Sequence, residues 1–357
     1  MELIKIGFVL LSNSKNPIPS TRIAVLNMFS FLKAANFDPH IVFEPSQGDE
    51  TPNVDDIFSR LLSENFQIIY FQKVHGSSVE KLAVKLSAAG IRTVYGVCDL
   101  MNLTMTSATD ATIVVTDYLK SLYPSALQEK VSVVHDGIEY PEKCKTDISQ
   151  GAGSRNKILN AVLVTSVDLD RLPVLGSIPD WLKVTIVGRY PSRRRVIQRL
   201  REARWKYAEK QSLNERIAYL KFLSNRRIRC LAWDSAGVYD AMQKADVGII
   251  PIDALPQHLE GQAPPMWKVK SENRLTMKMC VGLPVVATPI PSYEPIITHG
   301  ENGFFARTRD EWFEYLTLLR DSELRFKIGE RARKSVLTKY SMEEQARCLI
   351  SVLRGLV

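Results

Sequence analysis

Within seven residues the chain gathers three cations and two polar side chains, Lys268, Lys270, Ser271, Asn273 and Arg274. Leu275 and Met279 follow at i and i+4, Gly282 stands where a helix ends in the left-handed region, and Pro284 forbids continuation. The run predicts a short helix with Ser271 as its N-cap. The first turn of such a helix exposes unpaired N–H groups at the positive end of the dipole, so a basic start suits a phosphate. The plainer reading is a set of solvated surface cations. Other reactive types stand at the ends of apolar runs: Lys73 and His75, Cys98 and Asp99, His135 and Asp136, with Ser20, Thr21 and Arg22 at a helix start. Parallel α/β folds bind ligands at the carboxyl ends of their strands, and carboxylate and imidazole groups there can accept or relay protons. Each of these residues alone is also compatible with an ordinary loop or cap. Asp168-Leu-Asp170 has the Asp-x-Asp form of a metal motif, but no third ligand is in view, so it reads as a polar loop and no metal is expected.

The elements that would position these groups are legible as apolar runs. Residues 5–11, 40–43, 67–71, 92–96, 111–115 and 131–134 are short runs of the kind found in strands buried on both faces. Ile23, Leu26, Phe29 and Leu32 repeat at helical spacing between the first two, and 78–89 reads as another helix. Alternation of this kind predicts a doubly wound parallel domain over residues 1–140. No Gly-x-Gly-x-x-Gly follows the first strand, which counts against a nicotinamide or flavin enzyme. Periodicity disappears through 141–157, read as a linker. A second α/β domain spans 158–340, with strands at 161–165, 184–188, 228–233 and 246–251, and helices at 310–320 and 322–337. A last helix occupies 341–353. Residues 192–229 interleave Arg193, Arg194, Arg195, Arg199, Arg201 and Arg204 with Val196, Ile197, Leu200 and Trp205. That pattern fits an amphipathic basic helical region, either a hairpin solvated on the domain or one that touches an anionic membrane surface, a polyanionic acceptor or nucleic acid.

From Asn273 the order is Asn-Arg-Leu, then Gly282-Leu-Pro-Val-Val-Ala-Thr288, Glu294 and Gly300-Glu-Asn-Gly-Phe304. This ordered set resembles the donor-binding half of the retaining GT-B glycosyltransferases of the family 4 type. Val134-His-Asp-Gly-Ile138 is similar to the element that closes their first domain, with Asp136 where that family has Asn. The resemblance implies two doubly wound Rossmann-like domains with a cleft between them, the C-terminal helix (341–357) returning to the first. It implies transfer of a sugar from a UDP- or GDP-linked donor to a glycan, lipid-linked or small-molecule acceptor, with retention, no metal and no further cofactor. Lys270 and Arg274 would hold the diphosphate, helped by Ser271 and Asn273. Glu260, Gly261, Met277 and Glu294 would belong to donor-side loops. His75 and Asp99 would be catalytic, with Ser20, Thr21 and Arg22 on the acceptor side. Two glutamates of the family fall on Val269 and Met277, and its Gly-Arg and Lys after the first strand of the second half give way to Thr165-Ser166-Val-Asp168. A homologue that only binds a glycan or a partner subunit is therefore the alternative.

With 357 residues, 45% hydrophobic and 24% charged, the chain can build two cores. Its net charge of +8 is uneven: residues 1–150 carry −4 and 151–357 carry +12. The basic half is the one suited to phosphorylated ligands. A phosphate-binding regulator is a third, weaker reading, and no nucleic-acid module is recognisable. Five scattered cysteines without a Cys-x-x-Cys pair predict reduced thiols. With no membrane-length apolar run and no signal-like start, a cytoplasmic protein, peripheral at the inner membrane face through 192–229, is expected.

Overall fold

The computed structural model describes residues 3–145, 158–191, 195–235, 237–253 and 264–357. The expected loop residues Glu260 and Gly261, most of the 141–157 linker, and Arg193 and Arg194 lie outside them. Two parallel sheets form, each of six strands. The first contains β1 (Ile4–Val9), β2 (Phe37–Phe43), β3 (Ile68–Gln72), β4 (Arg92–Val97), β5 (Ala111–Val114) and β6 (Val131–Val133), in the order β2-β1-β3-β4-β5-β6. The second contains β7 (Leu159–Val164), β8 (Leu182–Gly188), β9 (Ile228–Ala232), β10 (Val247–Ile250), β11 (Val285–Ala287) and β12 (Phe304–Phe305), in the order β12-β11-β10-β7-β8-β9. Helices cover both faces of a parallel sheet, so the strands are apolar on both sides, and every residue of β3, β5, β10 and β11 is buried.

The chain divides into two compact units, Met1–Glu139 with Ala263–Asn273 and Thr338–Val357, and Tyr140–Gln262 with Arg274–Leu337. In the first, the C-terminal helix Met342–Arg354 buries Ala346, Leu349 and Leu353 among Ile6, Phe8 and Val94. In the second, the core of Leu163, Val184, Ile186 and Val286 is closed by Trp312 and Leu316.

The basic helix runs Asn273–Val281, so Ser271 is not its N-cap. The Ser271 hydroxyl instead hydrogen-bonds the Asp136 carboxyl. Gly282 ends the helix at φ 89°, the left-handed conformation that glycine adopts without a Cβ penalty. The Gly300–Gly303 turn is held by Asn302, whose Oδ1 accepts from Thr298 N at 2.8 Å while Nδ2 donates to Ile296 O and Ser335 Oγ. Residues 192–229 contain two helices, Val196–Glu209 and Leu213–Ser224.

Candidate functional site

On the first unit, the carboxyl ends of β3 and β4 bring Lys73 and Asp99 together. Lys73 has a left-handed backbone, φ 58°, its N–H donates to Gly96 O, and its Nζ lies 2.7 Å from Asp99 Oδ1. A non-glycine residue in this region is uncommon and here directs an ammonium onto a carboxylate. Lys270 Nζ stands 3.7 Å from the other Asp99 oxygen, and Glu50 lies 3.9 Å from Lys73 and 4.0 Å from His75 Nε2. Burial works against the Asp99 charge, but the charge and hydrogen bond of Lys73, with Lys270, outweigh it and hold the carboxyl below its usual range. Asp99 is thus ionised and a weak base. Burial pushes the neighbouring Cys98 thiol up, so it is no ready nucleophile.

A small cavity of about 30 Å³ opens among Ser20, Gln72, Lys73, Cys98, His135 and Asp136. It has room for water but not for a sugar ring. Its floor is tied together by Gln72, whose Oε1 accepts from Leu11 N and Thr21 Oγ1 and whose Nε2 reaches Ser20 Oγ at 3.4 Å. Thr21 is fully buried, so it acts as a brace and not as an exposed acceptor contact. Arg22 makes a bidentate pair with Glu139, Nε to Oε1 at 2.6 Å and Nη2 to Oε2 at 2.9 Å. Its fork is committed to the carboxylate that ends this stretch of the unit.

Beside the cavity lies a cluster that local sequence patterns do not signal. Glu272 is 1% exposed, and its Oε1 is 2.9 Å from His135 Nδ1. The same ring nitrogen is 2.9 Å from Val115 O, so its single proton faces two oxygens, and Glu272 Oε2 has no donor among the described residues. Burial opposes the charge of His135, yet the hydrogen bond and charge of Glu272 raise its pKa. Burial, reinforced by the Glu272 charge, lifts Asp136 to about 7. Val269 packs into the apolar core of this unit.

On the second unit, Arg274 Nη2 donates to Ser166 Oγ at 3.0 Å, just beyond the carboxyl end of β7. No carboxylate pairs with it among the described residues. Lys278 is fully buried with its Nζ donating to Arg274 O at 2.9 Å, and its stem crosses Gly248, where an added Cβ would lie 2.7 Å from Lys278 Cδ. Met277 faces away, into a cluster with Val162, Val164, Val187 and Met242. Glu294 is exposed beyond β11, and the buried Ser292 hydroxyl nearby has no partner among the described residues. Asp168 and Asp170 pair with Lys206 and Lys210. Among the described residues no cluster of three or more His, Cys, Asp or Glu could hold a metal ion.

The chain matches two protein families, one described as "Glycosyl transferase family 4 group" over residues 19–142 and one as "Glycosyl transferase-like" over residues 171–351, half of the chain. Its fold is similar to that of Anabaena HepE in complex with UDP-glucose, with a TM-score of 0.63 and 13% identity over 99% of this chain and 100% of that one. Sucrose-phosphate synthase from Thermosynechococcus elongatus gives 0.65 and 12% over 99% of each chain. The catalytic domain of starch synthase IV from Arabidopsis thaliana gives 0.59 and 12% over 100% of this chain and 99% of that one. No curated protein sequence matches the chain. Identities this low speak for the fold alone, two Rossmann-like units of the GT-B type, and it is the match over residues 171–351 that decides kinship: the chain belongs to the glycosyl transferase-like family, with a first half that matches the family 4 group.

Proposed function

We propose that this glycosyltransferase takes a hexosyl group from a UDP- or GDP-linked donor and delivers it, with retention and without a metal ion, to a hydroxyl of a glycan or lipid-linked acceptor. The observation that carries the donor side is Arg274, a cation at the end of β7 bonded to the Ser166 hydroxyl and to no carboxylate among the described residues. A guanidinium so held can neutralise the charge that builds on a departing diphosphate, which is the main catalytic task when a nucleotide-sugar breaks. Ser292, an orphan hydroxyl near Glu294, adds a donor on the same unit. HepE, similar in fold, is in complex with UDP-glucose, which supports a uridine-linked donor. On the first unit Asp99 is the group to accept a hydrogen bond from the incoming hydroxyl, and His75 the candidate base.

Charge-assisted bonds to phosphate are strong, so Arg274→Ala should weaken binding of UDP or GDP by about 1.5–3 kcal/mol in calorimetry. Unchanged affinity would remove Arg274 from the donor site. One observation favours a binding protein over an enzyme: both positions where the family carries glutamate are apolar and buried, Val269 and Met277. Release of nucleoside diphosphate from a UDP- or GDP-hexose, assayed with oligosaccharide acceptors, separates the two readings.

A further inference from the structure

The two helices between β8 and β9 leave two runs of large apolar side chains in water. A helix lying on a domain normally gives its apolar stripe to the core and its charges to water. No residue of Val196–Glu209 is fully buried, and the side it offers the domain sets lysines beside Tyr207, which packs against the core: Lys206 pairs with Asp168 at 2.5 Å and Lys210 pairs with Asp170. Both lysines are largely covered, with side chains 15% and 22% exposed. Val196, Ile197, Leu200 and Trp205 point outward instead, at 59%, 70%, 65% and 61% exposure. In Leu213–Ser224, Tyr219 and Phe222 face the core. Leu213, Ile217, Leu220 and Leu223, at i, i+4, i+7 and i+10, form a second outward stripe, 42–69% exposed.

Scattered exposed apolar residues need no explanation, but here eight of the nineteen strongly exposed large hydrophobics of the described residues fall on one pair of helices. The charge around them is one-sided. Residues 195–229 hold eleven Lys and Arg against three Glu, and Glu215 is engaged in its own helix cap. Two copies meeting through this face would bring like charges together, which disfavours self-association. An apolar face flanked by Arg and carrying an outward Trp is suited to the boundary between acyl chains and anionic headgroups. We propose that this helical pair docks the enzyme on the surface of an anionic lipid bilayer, its leucines and Trp205 entering the headgroup boundary while Arg201, Arg204, Lys221 and Arg226 meet the lipid charge. The inference does not depend on the donor assignment.

Flotation with phosphatidylcholine vesicles containing about one third phosphatidylglycerol, against phosphatidylcholine alone, tests it. The full chain should float with the anionic vesicles only, and less so as salt screens the attraction. Leu200→Glu with Leu220→Glu should abolish flotation, and Arg201→Glu with Arg204→Glu should lower the affinity at least fivefold for each position. These positions are exposed, so melting temperature and nucleoside diphosphate affinity should stay at the wild-type level. Absence of flotation, equal binding to neutral vesicles, or full binding by the Leu200→Glu and Leu220→Glu protein would each overturn the proposal. So would a wild-type dimer that the same pair of substitutions dissociates, since the face would then belong to a second copy.

Discussion

Asp136 occupies the position where the resembling first-domain element carries Asn, and the difference has a thermodynamic signature. Burial and the neighbouring Glu272 keep its proton on to about pH 7 in the folded protein, whereas an unfolded Asp releases it near 3.9. Between those values the folded state binds more protons, so stability falls as pH rises through the window. Below pH 4 the penalty is absent, and above about 7 it is complete. Asp136→Asn can still accept the Ser271 hydroxyl bond but has no charge to bury. Its stability should match wild type near pH 4 and exceed it by on the order of a few kcal/mol at pH 8, measured by urea unfolding at both values. A variant that keeps the wild-type slope across the window would mean that Asp136 titrates as an ordinary carboxyl. The fate of the two missing glutamates is also a residue-scale matter. Val269 and Met277 sit in apolar clusters, where a carboxylate would be unpaired and costly.

At the scale of the element, the helix Asn273–Val281 combines a half-buried guanidinium with a fully buried amine one turn later. Desolvation, then the Arg274 charge, drives the Lys278 pKa well below its usual value. The unfolded chain therefore binds more protons than the folded one below the ordinary lysine pKa, and stability should rise with pH toward about 10.5. Lys278→Met keeps the stem over Gly248 and removes the amine, so the variant should be more stable than wild type at pH 7 and lose that upward slope. Equal melting temperatures across pH 7–10 would show that Lys278 is solvated in its charged form. Strands such as Ala111–Val114 and Val247–Ile250 were legible in the sequence because a strand buried on both faces reads as a nearly continuous apolar run. The helix start was not. Capping rules favour Ser271, but its hydroxyl is taken by Asp136, far away in sequence, and local patterns carry no information about such a partner. For the same reason Lys73, Asp99 and Lys270 were each readable as polar rim residues, while their convergence was not. The helices Val196–Glu209 and Leu213–Ser224 were readable as basic and amphipathic, but periodicity does not say which face turns inward. In Val196–Glu209 the pairs of Lys206 and Lys210 with Asp168 and Asp170 hold that side to the domain, whereas in Leu213–Ser224 Tyr219 and Phe222 turn to the core.

At the scale of the whole molecule, the chain passes between its two units four times, so neither unit is one continuous stretch of sequence. The positive charge is concentrated where the donor reading needs it, in the half that carries +12. A ligand that binds only the folded state adds RT ln(1 + [L]/Kd), about 2.7 kcal/mol at a hundredfold excess over Kd. For cores of the size of these units, that corresponds to a rise of roughly 5–10 °C in melting temperature. UDP or GDP should therefore raise the transition of the full chain by several degrees, and Arg274→Ala should reduce the rise at the same ligand concentration. Because the leaving diphosphate is assigned to side-chain cations, the rise should persist in excess chelator. A shift that vanishes on chelation and returns with a divalent ion would reassign the phosphate charge to a bound metal. No shift with any nucleoside diphosphate at millimolar concentration would reject the donor site on the second unit, while leaving the lipid-facing helices to be judged by flotation alone.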